Sequence, residues 1–135
     1  MADSLTLTLV TPTERLIETR CGEVRLPGTK GYFGVRAGHE ALLTTLDAGP
    51  LHFFVEGKED AFAILGGFAE IIDDHVLVLA DEAVHVETID VEHERAALEE
   101  ARRKLCEVQA DLLERKSADA RVRRHAARVA TVELV

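Results

Sequence analysis

The chain has 135 residues, of which 47% are apolar, so it is long enough for one domain with a hydrophobic core and a small appendage. Its formal net charge of −9 and its aromatic content of 4% argue against nucleic-acid binding, whether by charge or by base stacking. Two widely separated cysteines form no disulfide framework, which favours a reducing compartment.

The first part of the chain, from residue 4 to about residue 87, predicts many short β-strands. Leu5 to Leu9 alternates leucine with threonine, which places three leucines on one face of a strand. Turn signals then recur about every ten residues, which favours a sandwich or barrel over βαβ units. The next strands are predicted at 16–19, 23–26, 32–35, 51–55, 60–65, 68–72 and 75–80, with hairpin turns at Glu56-Gly57 and Asp73-Asp74. Several of these strands are apolar on both faces, which we interpret as packing between two layers.

The pattern becomes helical at Asp90, because neither glycine nor proline occurs from there to Lys116. Asp90 is the predicted N-cap of this first helix. An apolar stripe at spacings of three and four follows, formed by Leu98, Ala101, Leu105, Val108 and Leu112. We expect Cys106, beside this stripe, to pack as a small apolar residue.

A second helix is predicted after a break at 116–119, with Ser117 as its N-cap. One side of it carries Val122, Ala126 and Val129, and another carries Arg121, Arg124 and Arg128. Two consecutive amphipathic helices indicate an antiparallel hairpin. The sequence therefore predicts two domains, a β-domain at 1–88 and a helical hairpin at 89–135. The arginines could bind an acidic protein surface, and the alternative is a solvated helix face.

The sequence contains no pattern typical of an active site. Its six histidines lack the spacing of a metal site, and no HExxH, GxSxG or phosphate-binding glycine loop occurs. The longest nearly apolar run, 61–72, is too short to cross a bilayer as a helix, and no signal-peptide pattern opens the chain. We therefore expect a non-catalytic protein with no metal, no required cofactor and no direct membrane insertion.

Three groups of residues form motifs with a specific spacing. The first, within residues 28–44, consists of Gly28, Gly31, Gly34, Gly38, His39, Leu42, Leu43 and Thr44. The other two are residues 66–70, Gly-Gly-Phe-Ala-Glu, and residues 78–81, Val-Leu-Ala-Asp. These motifs, with the termini at 7–11 and 127–134, resemble the epsilon subunit of F-type ATP synthase, and the resemblance covers nearly the whole chain.

This resemblance implies an N-terminal antiparallel β-sandwich of about ten strands and a C-terminal antiparallel two-helix hairpin. It implies a central-stalk (rotor) subunit that couples ion translocation to ATP synthesis and restrains ATP hydrolysis through its helices. The β-domain would contact the gamma subunit and the c-ring, with Lys30, Gly31, Tyr32 and His39 as candidate contacts. Extended helices would reach the alpha and beta subunits through Arg121, Arg124 and Arg128. The chain would then lie at the cytoplasmic face of a bacterial inner membrane, held there peripherally by the complex.

The chain departs from the family pattern in places that affect these expectations. Ala37 and Ala41 replace prolines, and Lys30 and Tyr32 stand where acids are frequent. Family members that bind ATP on the folded hairpin carry an arginine three residues after an aspartate. Here the candidates for that site are Asp90 and Arg95, and the arginine comes two residues late, about 200° around a helix. The alternative is that Asp90 caps the helix while Arg95 lies on the surface.

Two other functions fit the sequence without the resemblance. One is a free-standing β-sandwich that binds a ligand and oligomerises through its helical tail. The other is a small enzyme, which would need a pocket with convergent polar groups. Co-purification with alpha, beta and gamma chains separates a stalk subunit from both.

Overall fold

The computed structural model describes residues 4–107 and 112–135. Eight strands come first: β1 (Leu5–Val10), β2 (Arg15–Cys21), β3 (Glu23–Gly28), β4 (Gly31–Arg36), β5 (Leu42–Val55), β6 (Lys58–Ile72), β7 (His75–Ala80) and β8 (Ala83–His85). A 3-10 turn at Val86–Thr88 and helices α1 (Val91–Glu107) and α2 (Leu112–Leu134) follow. The strands pair in the order β2-β1-β7-β6-β5-β3-β4, with β8 on β6, and only β1 with β7 is parallel among these pairs. The predicted fold class, a β-sandwich followed by two helices, is confirmed.

The described chain has eight strands instead of about ten because β5 and β6 are long. The second half of β6 pairs with β7, whereas its first half pairs with β8. The change of partner falls at Gly66 and Gly67, whose φ angles are +70° and +132°. A Cβ atom on Gly67 would lie 2.0 Å from the carbonyl oxygen of Leu79. The predicted separate strands at 60–65 and 68–72 are therefore wrong, since one strand bends between them.

The hydrophobic core takes alternate side chains from seven of the strands. Leu5, Leu7 and Leu9 are at most 1% exposed, which confirms the predicted alternation in β1. Residues from β3, β5, β6 and β7 face the same core, among them Val24, Phe53, Phe62, Ile71 and Val78. The sandwich interior is thus one continuous apolar cluster.

Both predicted hairpin turns are present, each with two residues in the left-handed region. Glu56 and Gly57 have φ of 52° and 79°, and Asp73 and Asp74 have φ of 47° and 60°. This geometry matches the type I′ turns that suit the right-handed twist of paired strands. The Asp74 Oδ1 atom also accepts a hydrogen bond of 2.7 Å from the Gly38 amide, which ties the interior of the 28–44 segment to this turn.

The start of α1 agrees with the sequence, but the start of α2 does not. Asp90 Oδ1 accepts a 3.2 Å hydrogen bond from the His93 amide, so Asp90 is the N-cap. The predicted break at 116–119 is wrong, because those residues lie inside α2. Ser117 does not cap a helix, since the neighbouring alanines favour helix strongly enough to accommodate one serine and one aspartate.

The predicted apolar stripe of the first helix is only partly buried. Leu98 and Ala101 are buried and Leu105 is half-buried, whereas Leu112 is 66% exposed. Val108 lies outside the described residues. The expectation that Cys106 packs is wrong, because its side chain is exposed.

The hairpin lies on the sandwich through its second helix. α1 packs on α2, and α2 packs on β5 and β6. Small side chains meet there: Ala127 of α2 and Ala63 of β6 line one narrow cleft. Ala61 and Ala63 are buried under this helix.

We expect Gly67→Ala to lower the free energy of unfolding by at least about 2 kcal/mol, because it adds backbone strain and a clash with a strand carbonyl. Gly22→Ala is the matched control, since a Cβ atom there meets no atom within 4 Å. Urea unfolding followed by circular dichroism gives both values. Equal stability of the two variants would contradict a required bend at Gly67.

Candidate partner-binding surfaces

One outer face of the sandwich exposes large apolar side chains. Leu43 is 69% exposed, Phe68 53%, and Ile72 and Leu79 48% each. Phe68 lies opposite Leu79 on β7 and opposite Thr45 on β5, so these side chains are cross-strand neighbours. We call Leu43, Phe68, Ile72 and Leu79 the outer strip. Glu70 and His75, on the same face, add polar groups to it.

The outer strip corrects our interpretation of strands that are apolar on both faces. Packing between two layers holds for residues 61–64 of β6, all of which are buried, with α2 against that half of the strand. It fails for residues 68–72, where Ala69 and Ile71 face the core while Phe68 and Ile72 face outward. In residues 68–72, apolar residues on both faces of the strand are therefore the sequence signal for the outer strip. Our sequence analysis interpreted this signal as burial in the interior.

The candidate contacts in the 28–44 segment lie at two places. Lys30 lies in the β3–β4 turn and Gly31 and Tyr32 open β4; all three are exposed, with Tyr32 at 48%. The Thr29 hydroxyl lies 2.7 Å from the Thr45 hydroxyl and fixes this turn to β5. His39 follows the other end of β4, a strand about 20 Å long, and its Nδ1 lies 2.7 Å from the Glu40 carbonyl oxygen. The structure does not bring His39 and the turn together.

The three arginines of the predicted stripe have different environments. Arg121 is exposed. Arg124 donates two hydrogen bonds of 2.8 Å to the two carboxylate oxygens of Glu82, between β7 and β8. Arg128 Nη1 donates a 3.2 Å hydrogen bond to Glu94 of α1, and its Nη2 lies 3.8 Å from Glu82. Arg124 and Arg128 thus face other parts of the same chain.

Sequence reasoning missed the carboxylates that these arginines meet. Glu94 is only 7% exposed, and its Oε2 lies 2.5 Å from His125 Nδ1. On α2, Arg123 pairs with Asp47 of β5. Helical periodicity places Glu94 in the first helix but does not indicate which cation it meets, because that depends on how the hairpin folds back.

These contacts shift the pKa values of the two carboxyls downward. The hydrogen bonds from Arg124 lower the pKa of Glu82 despite partial burial, and the charges of Arg124 and Arg128 add to this. Burial acts to raise the pKa of Glu94, but hydrogen bonds from His125 and Arg128, with the Arg128 charge, bring it below its ordinary value. Both carboxyls are therefore ionised at neutral pH.

The ATP candidates Asp90 and Arg95 are engaged within the hairpin. Asp90 caps α1, as described above. Arg95 donates to Glu92 at 2.9 Å and to Glu133 at 3.4 Å. Within residues 4–107 and 112–135, no group of three His, Cys, Asp or Glu side chains could hold a metal ion. Neither α1 nor α2 is long and apolar enough to cross a membrane.

A ligand-binding β-sandwich, the alternative function, would need a pocket, and the sandwich has a surface cavity of about 660 Å³. Its lining includes Glu23, Arg25, Arg36 and Phe54. Both arginines are paired with Glu23, at 3.2 and 3.3 Å. Arg25 also lies over the Phe54 ring, 5.4 Å from its centroid. The cavity therefore presents charges that are already partly compensated.

Comparison with known proteins identifies the family. Residues 4–86 match the family described as "ATP synthase, Delta/Epsilon chain, beta-sandwich domain". An ATP synthase epsilon chain of Anaeromyxobacter sp. (strain K) is 41% identical over 93% of this chain and 96% of its own length. The chain belongs to the ATP synthase epsilon chains. The epsilon chain of Myxococcus xanthus is 38% identical, with coverage of 93% and 92%.

Solved structures agree with this assignment to the epsilon family. A chain in the Euglena gracilis mitochondrial ATP synthase structure (OSCP/F1/c-ring) has a TM-score of 0.81 and 32% identity, covering 97% of this chain and 80% of that one. A chain in the Tetrahymena thermophila central stalk/c-ring structure has a TM-score of 0.63 at 18% identity, with coverage of 93% and 96%, and supports the fold alone.

Membership in the epsilon family establishes the main features predicted from the sequence. The chain is a central-stalk subunit of an ATP synthase, a membrane-associated complex, and it is not catalytic by itself. The free-standing ligand-binding module is not favoured.

We expect acid to destabilise the chain partly through Glu82. A carboxyl whose pKa is lowered by folding contributes its full stabilisation above its unfolded pKa, and loses it as the pH falls through the folded value. The free energy of unfolding of the wild type should therefore fall from about pH 5 downward. Glu82→Gln should show a shallower fall than Glu14→Gln, which removes an exposed carboxylate of the same domain. Urea titrations at several pH values measure both slopes, and identical slopes would contradict the prediction.

Proposed function

We propose that the outer strip is the surface by which this epsilon chain binds the gamma subunit of the central stalk. The observation that carries the proposal is the exposure of Leu43, Phe68, Ile72 and Leu79 together on one sheet face. Contiguous exposed apolar side chains with a polar surround are typical of protein interfaces. The opposite outer face already carries α2, so the strip is the apolar face left for a partner.

The position of the strip suits a subunit that rotates with its partner. Phe68 and Leu79 belong to β6 and β7, which are paired on both sides in the sheet. The residues that alternate with them, Ala69 and Val78, are fully buried in the core. A partner bound there rests directly on the most constrained part of the sandwich, so torque passes through packed strands instead of loops.

We further propose that the β3–β4 turn, with Lys30, Gly31 and Tyr32, contacts the c-ring, and that His39 is a second contact. The exposure of Lys30, Gly31 and Tyr32 and the hydrogen bond that fixes the turn to Thr45 support the first contact, and His39 is half-buried beyond the other end of β4. The exposed Lys30 would favour an acidic or polar loop of the ring. The complex would then hold the chain peripherally at the cytoplasmic face of a bacterial inner membrane.

The hairpin is proposed to restrain ATP hydrolysis by reaching the alpha and beta subunits. The exposed Arg121 and the largely ionic attachment of α2 to the sandwich support this role. Adding the chain back to a complex depleted of it should lower ATP hydrolysis. Unchanged hydrolysis after add-back would leave the chain with a coupling role alone.

The gamma-binding proposal is tested by Phe68→Gln. Phe68 is half exposed, so the variant should fold normally, yet its affinity for a complex depleted of this chain should fall about tenfold, as for a central interface aromatic. Leu112→Gln is the control, because it changes an exposed leucine on the hairpin. Biolayer interferometry with an immobilised gamma-containing complex measures both. Wild-type affinity of Phe68→Gln would reject the strip as the docking surface.

We propose that Asp90 and Arg95 do not form an ATP site. Asp90 is used as an N-cap, and the Arg95 guanidinium is shared by two carboxylates, which would have to be displaced by a phosphate. Calorimetric titration of the chain with ATP should therefore give no heat that depends on Arg95. Tight binding that is lost in Arg95→Ala but kept in Arg102→Ala would overturn this proposal.

A further inference from the structure

Glu70 places a carboxylate in the middle of the outer strip. It lies on β6 between Phe68 and Ile72, whose side chains face the same way, because side chains alternate along a strand. Across the sheet it is opposite Leu43 of β5 and Leu77 of β7. Its four nearest neighbours on this face are therefore apolar, while Glu70 itself is exposed.

This carboxylate is unpaired in the part of the chain that the structure describes. Over residues 4–107 and 112–135, the Glu70 side chain takes part in no hydrogen bond and no ion pair. Glu23, another glutamate on a strand of the sandwich, instead lies 3.2 Å from Arg25 and 3.3 Å from Arg36. The fold thus satisfies the charge of Glu23 and leaves that of Glu70 unused.

Basic side chains on the same face are directed elsewhere. His75 is diagonal to Glu70 across the β6–β7 pair, and its Nε2 atom lies 2.9 Å from the Thr8 hydroxyl of β1. Arg20, on the edge strand β2, donates a 3.0 Å hydrogen bond to the Ser4 hydroxyl. These contacts leave Glu70 open to a cation from a partner.

Covering the outer strip would remove water from Glu70. Residues two apart on a strand are separated by about 7 Å, so a partner seated on Phe68 also covers Glu70. Apolar neighbours pressed against the partner exclude water from the carboxylate between them. A carboxylate that loses its water is strongly destabilising unless a cation replaces the water. A partner that binds tightly here must therefore bring a cation.

A simpler role for Glu70 is to keep an apolar sheet face from associating with other chains. Charges that serve this purpose in sheets are typical of edge strands, whereas β6 is paired on both sides. Glutamate is also among the residues depleted from strands. The central position thus favours a charge that has a partner. The two roles are separable, because a charge of either sign would keep the face soluble.

We propose that Glu70 determines which partner the outer strip accepts, by forming an ion pair with a lysine or arginine side chain of the gamma subunit. Its apolar neighbours enclose the pair, so salt screens it less than a surface pair. An apolar surface without a cation is rejected, because docking would leave the carboxylate buried and unpaired. This inference rests on the proposed binding of gamma by the outer strip.

Affinity for an immobilised gamma-containing complex depleted of this chain tests the ion pair. Glu70→Gln keeps the size of the side chain but removes its charge, so affinity should fall at least about thirtyfold, mostly through faster dissociation. Glu18→Gln is the matched control. Glu18 lies in the same cross-strand row as Glu70, three strands and about 14 Å away, and the change removes the same charge. Its affinity should stay within about twofold of the wild type.

The folded chain without its partner provides a second measurement. Because the Glu70 side chain makes no ion pair or hydrogen bond there, Glu70→Gln should unfold in urea at the same midpoint as the wild type. A lower midpoint would assign Glu70 to the fold and overturn the proposal. Equal or tighter binding by Glu70→Gln, or an equal loss in Glu18→Gln, would also overturn it.

Phe68→Gln separates this inference from the proposed function. If Phe68→Gln loses affinity and Glu70→Gln does not, the outer strip binds gamma without the ion pair, and the inference alone fails. If both variants bind like the wild type, the docking surface itself is wrong.

Charge reversal tests for the cation directly. Glu70→Lys should bind more weakly than Glu70→Gln, since two cations would then meet in the contact. Replacing the partner cation of gamma with glutamate should restore the affinity of Glu70→Lys, and single replacements of the gamma lysines and arginines identify that cation. Wild-type affinity of Glu70→Lys would show a solubilising charge only, and absence of rescue by every replacement would overturn the proposal.

Discussion

The close approach of β6 to β7 at Gly67 is the constraint on which the arrangement of the strands around the core depends. With a hydrogen in place of a Cβ atom, the backbone passes the Leu79 carbonyl oxygen, and β6 changes its partner there from β8 to β7. One strand thereby serves both parts of the sheet around one core. The same bend gives β6 two outer faces, one beneath α2 and one bearing Phe68 and Ile72.

These two faces use different physical interactions. The outer strip is largely apolar, and a contact made by its apolar side chains carries no charge for salt to screen. The face beneath α2 combines alanines with partly exposed ion pairs, each worth about 1 kcal/mol or less. The two faces therefore differ in how strongly salt acts on what they bind.

The fold was largely predictable from sequence, and the surfaces were not. Alternation in Leu5 to Leu9, the Asp73-Asp74 turn and the Asp90 cap are local signals, and each is confirmed. The break at Ser117 failed because a capping residue also fits inside a helix when its neighbours favour one. The interpretation of residues 68–72 as packed between two layers was wrong for another reason. A pattern of apolar residues does not distinguish a face that this chain covers from a face that it leaves exposed.

The arginines show why a stripe on one helix is not one site. Arg121, Arg124 and Arg128 are equivalent by spacing, but Arg124 and Arg128 already have carboxylate partners in the docked hairpin. A guanidinium bound to both oxygens of Glu82 cannot give the same hydrogen bonds to another protein. Any acidic partner of Arg124 must therefore displace Glu82. The free energy gained by that binding is only the difference between two similar ion pairs. Arg121 is exposed, so an acidic partner can bind it without displacing Glu82 while the hairpin lies on the sandwich.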